Sequence, residues 1–584
     1  MTLAIDWSPD FERVLTLPRR AAPGSAAAQR LAEQRNAELT EALLTPEGRR
    51  AGARLIGWQG YLLHEALETE SKPAGAFGQL PVGSGKTLIS LLIARLLGCG
   101  DTALVLPESL VEKTYREFAE YSRFWKRPTE PVHVIGYREM TLQKNLEMLS
   151  RLAPKLLVLD EADKASNQDA SVAQRIGRYV GANDTAVITL SGTGSRHEIQ
   201  DISHLLTWSL KSAAPVPLSR NVLEQWGLAL NAKTGFRTSR LLPGVLHDLA
   251  PIAEQQTEIF TRHGVEMDEL VWARLAFQTR LRETPGVVIV DEDSCDQPLE
   301  IRLIHAPEDK QINALFERYS DTSKTPDEWV LACALERYTF ESQLGMGFHY
   351  YYDPRPPEPW LDARRALARF VSSVKRSSRR GRKPLDTEGA VLAAHADAEP
   401  VRDWLAIEPT FAPVRQVGWH SDSVVDAAVA WSRAHCGLIF CKYPEVGKRI
   451  AEAADLEYYG AKGRSASGEL VDDAPKNRCA VLSLDANIRG RNLQGWSRAL
   501  GVGCPQSARD IEQWLGRLHR YGQTKPVRYD IMLTSALSEY ALNSAIDEAL
   551  FVLQTQGQSQ KLLRAQITRH GVPSRAKRWT TVLG

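Results

Sequence analysis

At 584 residues the chain is long enough for roughly three or four domains of ~150 residues each. It is 43% hydrophobic and 24% charged, which fits a soluble globular protein with large buried cores. The net charge of +1 excludes a global field that draws the chain to nucleic acid, so any such binding must come from local patches.

The seven cysteines (Cys99, Cys295, Cys333, Cys436, Cys441, Cys479 and Cys504) form no C-x-x-C pair, so no zinc site is expected. Several lie in apolar, strand-like runs, where cysteine acts as a small buried hydrophobe. A reduced, cytoplasmic setting is the simplest expectation. No apolar run reaches about 18 residues, so no membrane span is expected. The first residues carry an early acid, Asp6, and lack the pattern of a signal peptide.

Residues 1–50 read as an N-terminal extension, with Pro18, Pro23, Gly24 and an Ala-rich helical stretch near 26–44. No function follows from its composition. Gln59 comes next, about one helix upstream of a glycine-rich loop. It is either an adenine-reading amide or an ordinary exposed glutamine.

The loop is Leu80-Pro81-Val82-Gly83-Ser84-Gly85-Lys86-Thr87, followed by an apolar run to Leu97. It reads as a phosphate cradle opening a helix. Glycines let backbone N–H groups turn inward, at the positive end of a helix dipole. Lys86 can reach the β- and γ-phosphates, and the Thr87 hydroxyl can bind Mg²⁺. Leu80 departs from the pattern, because a glycine is usual there.

Downstream, apolar runs alternate with helical patterns. Strands are expected at 102–107, 132–137, 155–159 and 185–190, with helices between them. Such alternation predicts a parallel sheet covered on both faces, with ligands at the carboxyl ends of its strands. The phosphate loop, Asp160-Glu161-Ala162-Asp163 and Ser191-Gly192-Thr193 all fall at such ends. Asp160 can hold Mg²⁺ through water, and Glu161 can polarise the attacking water.

A second alternation places strands at 437–441, 480–484, 499–502 and 528–533. A helix from about Ser507 is expected to carry Gln513, Arg517 and Arg520, and a long one to run near 537–553. Arg517 and Arg520, three apart on such a helix, would share a face. A guanidinium beside the γ-phosphate would then act as an arginine finger. Two α/β lobes are therefore expected. The stretch between them looks mostly helical and irregular, with short β-like pieces at 286–290 and 299–304.

The ordered motifs carry a resemblance. Gln59, LPVGSGKT, DEAD at 160–163, SGT at 191–193, RGRNLQ at 489–494 and QWLGRLHRYGQ at 513–523 resemble the superfamily-two helicases. The last two look most like the Swi/Snf-type DNA translocases. The run Tyr351 to Trp360 is similar to helicases of that type carried by phages and prophages. The motifs cover about 55–195 and 435–535. Swi/Snf relatives usually read DEAH where this chain reads DEAD. DEAD-box RNA helicases usually carry Ser-Ala-Thr and a different final motif, so Asp163 is no ground for assigning RNA.

The resemblance implies two RecA-like parallel-sheet lobes with a mostly helical insertion between them. The implied division is 1–50 extension, 51–215 lobe one, 216–415 middle region, 416–555 lobe two carrying the arginine-finger helix, and 556–584 basic tail. It also implies roles. Gln59 and Gln513 would serve the nucleotide, with Gly83, Ser84, Gly85, Lys86 and Thr87 on the triphosphate and Mg²⁺. Asp160 and Glu161 would serve metal and water, and Arg517 and Arg520 would complete the ATP site. Ser191 and Thr193 would couple ATP state to nucleic-acid grip, and Arg489, Asn492 and Gln494 would sit between ATP and DNA.

The basic run 375–383, including Lys375, Arg376, Arg379 and Arg380, either neutralises phosphates or is a solvated loop. A C-terminal cluster from Lys561 to Arg578 with Trp579 is a second patch or a solvated tail. The aromatic run Phe348 to Tyr352 favours core packing over base stacking. The expected activity is an ATP-dependent DNA helicase or translocase in the cytoplasm of a bacterial or phage-infected cell. It would track the backbone without sequence readout and could have protein partners in replication, repair or defence. The alternatives are an RNA helicase with the same core, the motor subunit of a larger restriction, defence or remodelling complex, and a binding scaffold with a degenerate ATPase core. The full set of catalytic residues argues against the last.

Overall fold

The computed structural model describes all residues except 1–7, 69–74, 82, 99, 193, 195–197, 232–240, 263–264, 294, 332, 378–384, 489 and 571–584. Its first lobe is built on a six-stranded sheet: β1 (Ala76–Gln79), β2 (Thr102–Leu106), β3 (Val132–Gly136), β4 (Leu156–Asp160), β5 (Ala186–Ser191) and β6 (Val287–Ile289). The order is β3-β2-β4-β5-β1-β6, and every pairing is parallel. Continuous apolar runs form these strands because both faces are covered. Ala103, Val105, Leu157 and Leu159 join one core. Their alternates Leu104, Leu106, Leu156 and Val158 join another on the opposite face.

The chain then enters the second lobe through β7 (Leu299–His305). A short antiparallel pair follows, β8 (Phe348–Tyr352) with β9 (Arg415–Trp419). The remaining strands are β10 (Leu438–Cys441), β11 (Tyr458–Tyr459), β12 (Ala480–Ser483), β13 (Arg498–Val502), β14 (Val527–Leu533) and β15 (Gln566–His570). With β7 they make a seven-stranded parallel sheet in the order β11-β12-β10-β13-β14-β7-β15. Two RecA-like α/β lobes therefore stand on one chain.

The two β-like pieces at 286–290 and 299–304 join different sheets, the first as an edge strand and the second between β14 and β15. Residues 216–415 thus contribute β6 to the first lobe and β7 to the second. Residues 556–570 of the expected tail also enter the fold, because β15 pairs with β7 over five residues, while Arg575, Lys577, Arg578 and Trp579 lie outside the described residues. Phe348 is fully buried beside Trp419 and Tyr443, so the aromatic run packs as core there. The six described cysteines are free thiols, and Cys295, Cys441 and Cys504 are buried. Among the described residues no cluster of His, Cys, Asp and Glu could hold a metal, and no helix is long and apolar enough to cross a membrane.

Between β8 and β9 the helices Glu358–Ser377, Glu388–Ala394 and Glu399–Ile407 enclose a small core of Leu367, Val371, Val391, Val401 and Trp404. This module springs from lobe two yet docks on lobe one through Asp386. Arg175, on the lobe-one helix Ser171–Ala182, donates two hydrogen bonds to that carboxylate, at 2.7 and 2.9 Å. Arg178 adds a third at 3.2 Å, and the Asp386 side chain is fully buried.

Burial raises the Asp386 carboxyl pKa, but the hydrogen bonds and charges of Arg175 and Arg178 outweigh it and hold the group below its ordinary value. Asp386→Ala strands a buried guanidinium and should cost about 3–5 kcal/mol in denaturant unfolding. A depressed carboxyl contributes stability above its unfolded pKa of about 3.9, and that contribution is lost as the pH falls through the folded value. The gap between wild type and variant should therefore be full at neutral pH and close in acid below about pH 4.

Candidate nucleotide site between the lobes

Strand register assembles the first half of the site. Gln79 pairs with Ser191, and Asp160 with Leu190. The carboxyl ends of β1, β5 and β4 therefore lie side by side, each delivering one motif. Ser191 is buried, and its carbonyl accepts a hydrogen bond from Leu80 N. Thr193 lies outside the described residues.

After β1 the chain turns sharply. Gly83 and Gly85 hold φ of 93° and 80°, which L side chains rarely adopt. Gly85 then starts the helix Lys86–Leu97. A Cβ at Gly85 would also stand 2.5 Å from Gln59 Nε2 and push that amide aside. Leu80 is 1% exposed and packs in the core with Trp58, Leu62 and Leu88. The leucine where a glycine is usual thus anchors the loop through its side chain. Gln59 is buried, and its amide donates to Ser84 O at 2.9 Å.

Lys86 is buried, with Nζ 4.0 Å from Glu161 Oε1, and Thr87 sits half-buried in the same helical turn. Asp160 is buried, and its Oδ1 accepts from Glu161 N at 2.9 Å. Glu161 holds φ of 51°, a left-handed backbone that costs of order 1–3 kcal/mol for a residue other than glycine. Burial and the charge of Glu161 push the Asp160 carboxyl well up, with Lys86 opposing. A cation bound there would bring it back down.

Lobe two supplies the other half. The helix Ala508–Leu515 presents Arg509 and Gln513, four apart on one face. Gln513 Nε2 donates to Glu161 Oε2 at 3.4 Å. Arg509 Nη1 lies 3.2 Å from Asp163 Oδ2 and also donates to Asp163 O. The acid at 163 therefore serves as the anion of an ion pair across the cleft, a role that a neutral histidine there could not fill. Lys113, on the lobe-one helix Glu108–Phe124, donates to Gly490 O at 3.0 Å.

The expected helix carrying both arginines ends early. It stops at Leu515, with Gly516 as its C-cap, so Arg517 and Arg520 stand in the turns that follow. Glycine is a poor helix former, and Arg517 Nε satisfies the free Gln513 carbonyl at 2.8 Å. The two guanidiniums still converge. Arg517 donates to Arg491 O at 3.0 Å and Arg520 to the same oxygen at 3.2 Å. Arg520 also donates to Asn492 Oδ1 at 2.6 Å.

Arg520 packs over Gly83, with its Nη2 3.6 Å from where a Cβ would sit. Its Nε and the Ser84 Oγ are buried without a partner among the described residues. Burial lowers the Arg520 pKa, yet its hydrogen-bond acceptors are neutral. A buried hydroxyl and the buried Nε of a half-buried guanidinium facing a glycine loop fit an anionic phosphate.

Asn492 N is held by Asp472 Oδ1 at 3.1 Å, and Gln523 donates to Gln494 O at 3.1 Å. Arg489, Arg379 and Arg380 lie outside the described residues. Lys375 and Arg376 end the helix Glu358–Ser377 in the docked module, where Arg376 is exposed. Sequence reading passed over Arg509, Lys113 and Asp163 as a lobe-bridging set. For Arg509 the spacing of four from Gln513 was the available signal.

No family model matches the chain, and no curated protein matches it. A solved structure, the crystal structure of the Pyrococcus furiosus Hef helicase domain, is 13% identical, with 84% of this chain and 97% of that one covered at a TM-score of 0.37.

Leu80→Ala should act on stability through lost packing, by about 2–5 kcal/mol in denaturant unfolding.

Proposed function

We propose that the chain is an ATP-driven motor that moves along DNA. One observation supports this above the rest. Lys86, Asp160 and Glu161 of lobe one meet Gln513, Arg517 and Arg520 of lobe two across a single cleft, with Gln513 hydrogen bonded to Glu161. Phosphoryl transfer needs little more than positioned positive charge and an oriented water.

In this reading Gly83, Ser84, Gly85 and Lys86 hold the triphosphate, and Gln59 reads the adenine. Thr87 and Asp160 hold Mg²⁺, which neutralises phosphate charge when bound. Glu161 takes the proton of the attacking water, and its strained backbone fixes the carboxylate towards the cleft. Arg520 stabilises charge on the γ-phosphate, while Arg517 braces the Arg491 carbonyl and the Gln513 side chain. Because Arg520 comes from the opposite lobe, hydrolysis depends on the cleft being closed.

Ser191 and Thr193 pass nucleotide state to the DNA side of lobe one, and Arg489, Asn492 and Gln494 do so on lobe two. Asn492 is well placed for this, because it shares a hydrogen bond with Arg520. Lys375, Arg376, Arg379 and Arg380 neutralise DNA phosphates, which gives sequence-independent, salt-sensitive binding. The setting is the cytoplasm of a bacterial or phage-infected cell.

The test is ATP turnover by the full chain with single-stranded DNA, duplex DNA or RNA. DNA should stimulate and RNA should not; equal stimulation by RNA would overturn the DNA assignment. Lys86→Ala should lose nucleotide binding. Arg520→Ala should keep binding while stimulated turnover falls by about 10³-fold or more. Glu161→Gln should bind nucleotide and lose about 10²–10⁴ in rate. Unchanged turnover in any of these three variants would sink the mechanism.

A further inference from the structure

The N-terminal extension carries no motif, yet it reaches the nucleotide site. Its helix Ala26–Leu43 starts at Ser25, whose hydroxyl accepts from Ala28 N. Ala28, Ala32 and Leu43 are buried in the core that also holds Trp58, Leu62 and Leu80. One face of this helix is therefore fixed against lobe one, and Asn36 and Thr40 stand four residues apart on it.

Both side chains grip the turn that carries Gln59. Thr40 Oγ1 accepts from Leu55 N at 2.9 Å. Asn36 Nδ2 donates to Gly57 O at 2.7 Å, and its Oδ1 accepts from Gly60 N at 2.7 Å. Three hydrogen bonds thus clamp the backbone on both sides of Gln59. The turn needs Gly57 at φ of 53°, and a Cβ at Gly60 would stand 2.6 Å from Asn36 Oδ1. Asparagine is a middling helix former, and here its side chain bridges a backbone acceptor and a backbone donor at once.

The consequence falls on the Gln59 amide. Its Oε1 accepts from Ile56 N at 3.0 Å, inside the clamped turn. Its Nε2 donates to Ser84 O at 2.9 Å, on the phosphate loop. The amide plane is fixed between the turn and the loop. A primary amide has two N–H groups and two lone pairs, so one of each remains. A fixed donor and acceptor side by side match the N7 and 6-amino edge of adenine, whereas guanine offers two acceptors there.

We infer that the N-terminal helix belongs to the base-recognition element, with Asn36 and Thr40 as positioning residues that hold Gln59 for adenine over guanine. The inference rests on the reading of the cleft as an ATP site. Thr40 and Asn36 act through the backbone of 55–60 and touch no substrate.

The test is calorimetric binding of ADP and GDP, each with Mg²⁺, to the full chain and to Asn36→Ala, Thr40→Val and Gln59→Ala. Wild type should prefer ADP. Gln59→Ala should lose the preference, and Asn36→Ala should reduce the ADP-to-GDP ratio about tenfold, by weakening ADP while GDP affinity holds. GDP affinity is thus an internal control for folding, and Thr40→Val should move the ratio the same way by less. In turnover assays the Asn36→Ala effect should fall on KM for ATP rather than on kcat. If Asn36→Ala and Thr40→Val keep the wild-type ratio while Gln59→Ala loses it, the inference fails and the ATP-site reading stands. A wild type that binds neither nucleotide overturns the ATP-site reading, and the inference with it.

Discussion

Parallel pairing of β1 with β5, and of β5 with β4, is the constraint on which the rest depends. It sets Gln79 opposite Ser191 and Leu190 opposite Asp160. Three polar or acidic loops must then leave the sheet at one edge, where no strand follows to satisfy them. The burial of both sheet faces makes that edge rigid. A glycine loop, a carboxylate pair and a serine-led turn become neighbours, and Lys86 of the loop reaches Glu161 of the pair.

Rigidity of one lobe does not complete the site. The second lobe reaches it with a single short helix and the turns after it. Gln513 and Arg509 meet Glu161 and Asp163, while Arg520 lies over Gly83. These contacts bring charged groups of both lobes together at one cleft. The early stop at Gly516 matters here. A continued helix would space the two arginines along an axis, whereas the turns let both share the Arg491 carbonyl.

Two segments that look peripheral are tied to this centre. The helical module inside lobe two docks on lobe one through a buried Asp386 with Arg175 and Arg178. Such a pair is costly to break, because either partner alone is a buried charge. The module therefore adds a link between the lobes away from the cleft. The N-terminal helix holds the Gln59 turn from behind. Neither segment carries a glycine loop or strand-end acid, so its part is visible in hydrogen bonds alone.

The sequence by itself determined what is local. Apolar runs marked β2 to β5, β10 and β12 to β14, because burial on both faces demands them, whereas β1, β9, β11 and β15 were not marked. The glycines at 83 and 85 marked the sharp turn after β1, because its backbone needs positive φ. The acids at 160 and 161 were legible because they end an apolar strand. Tertiary structure decided what depends on distant residues meeting. It gave Leu80 a core to fill and Asp163 an arginine 346 positions away. It drew the β-like pieces at 286–290 and 299–304 into two different sheets, and it brought Asn36 to Gln59. Apart from the spacing of Arg509 from Gln513, no period or spacing encodes such meetings, since each is fixed only when two separately folded surfaces pack and their polar groups must find partners out of water.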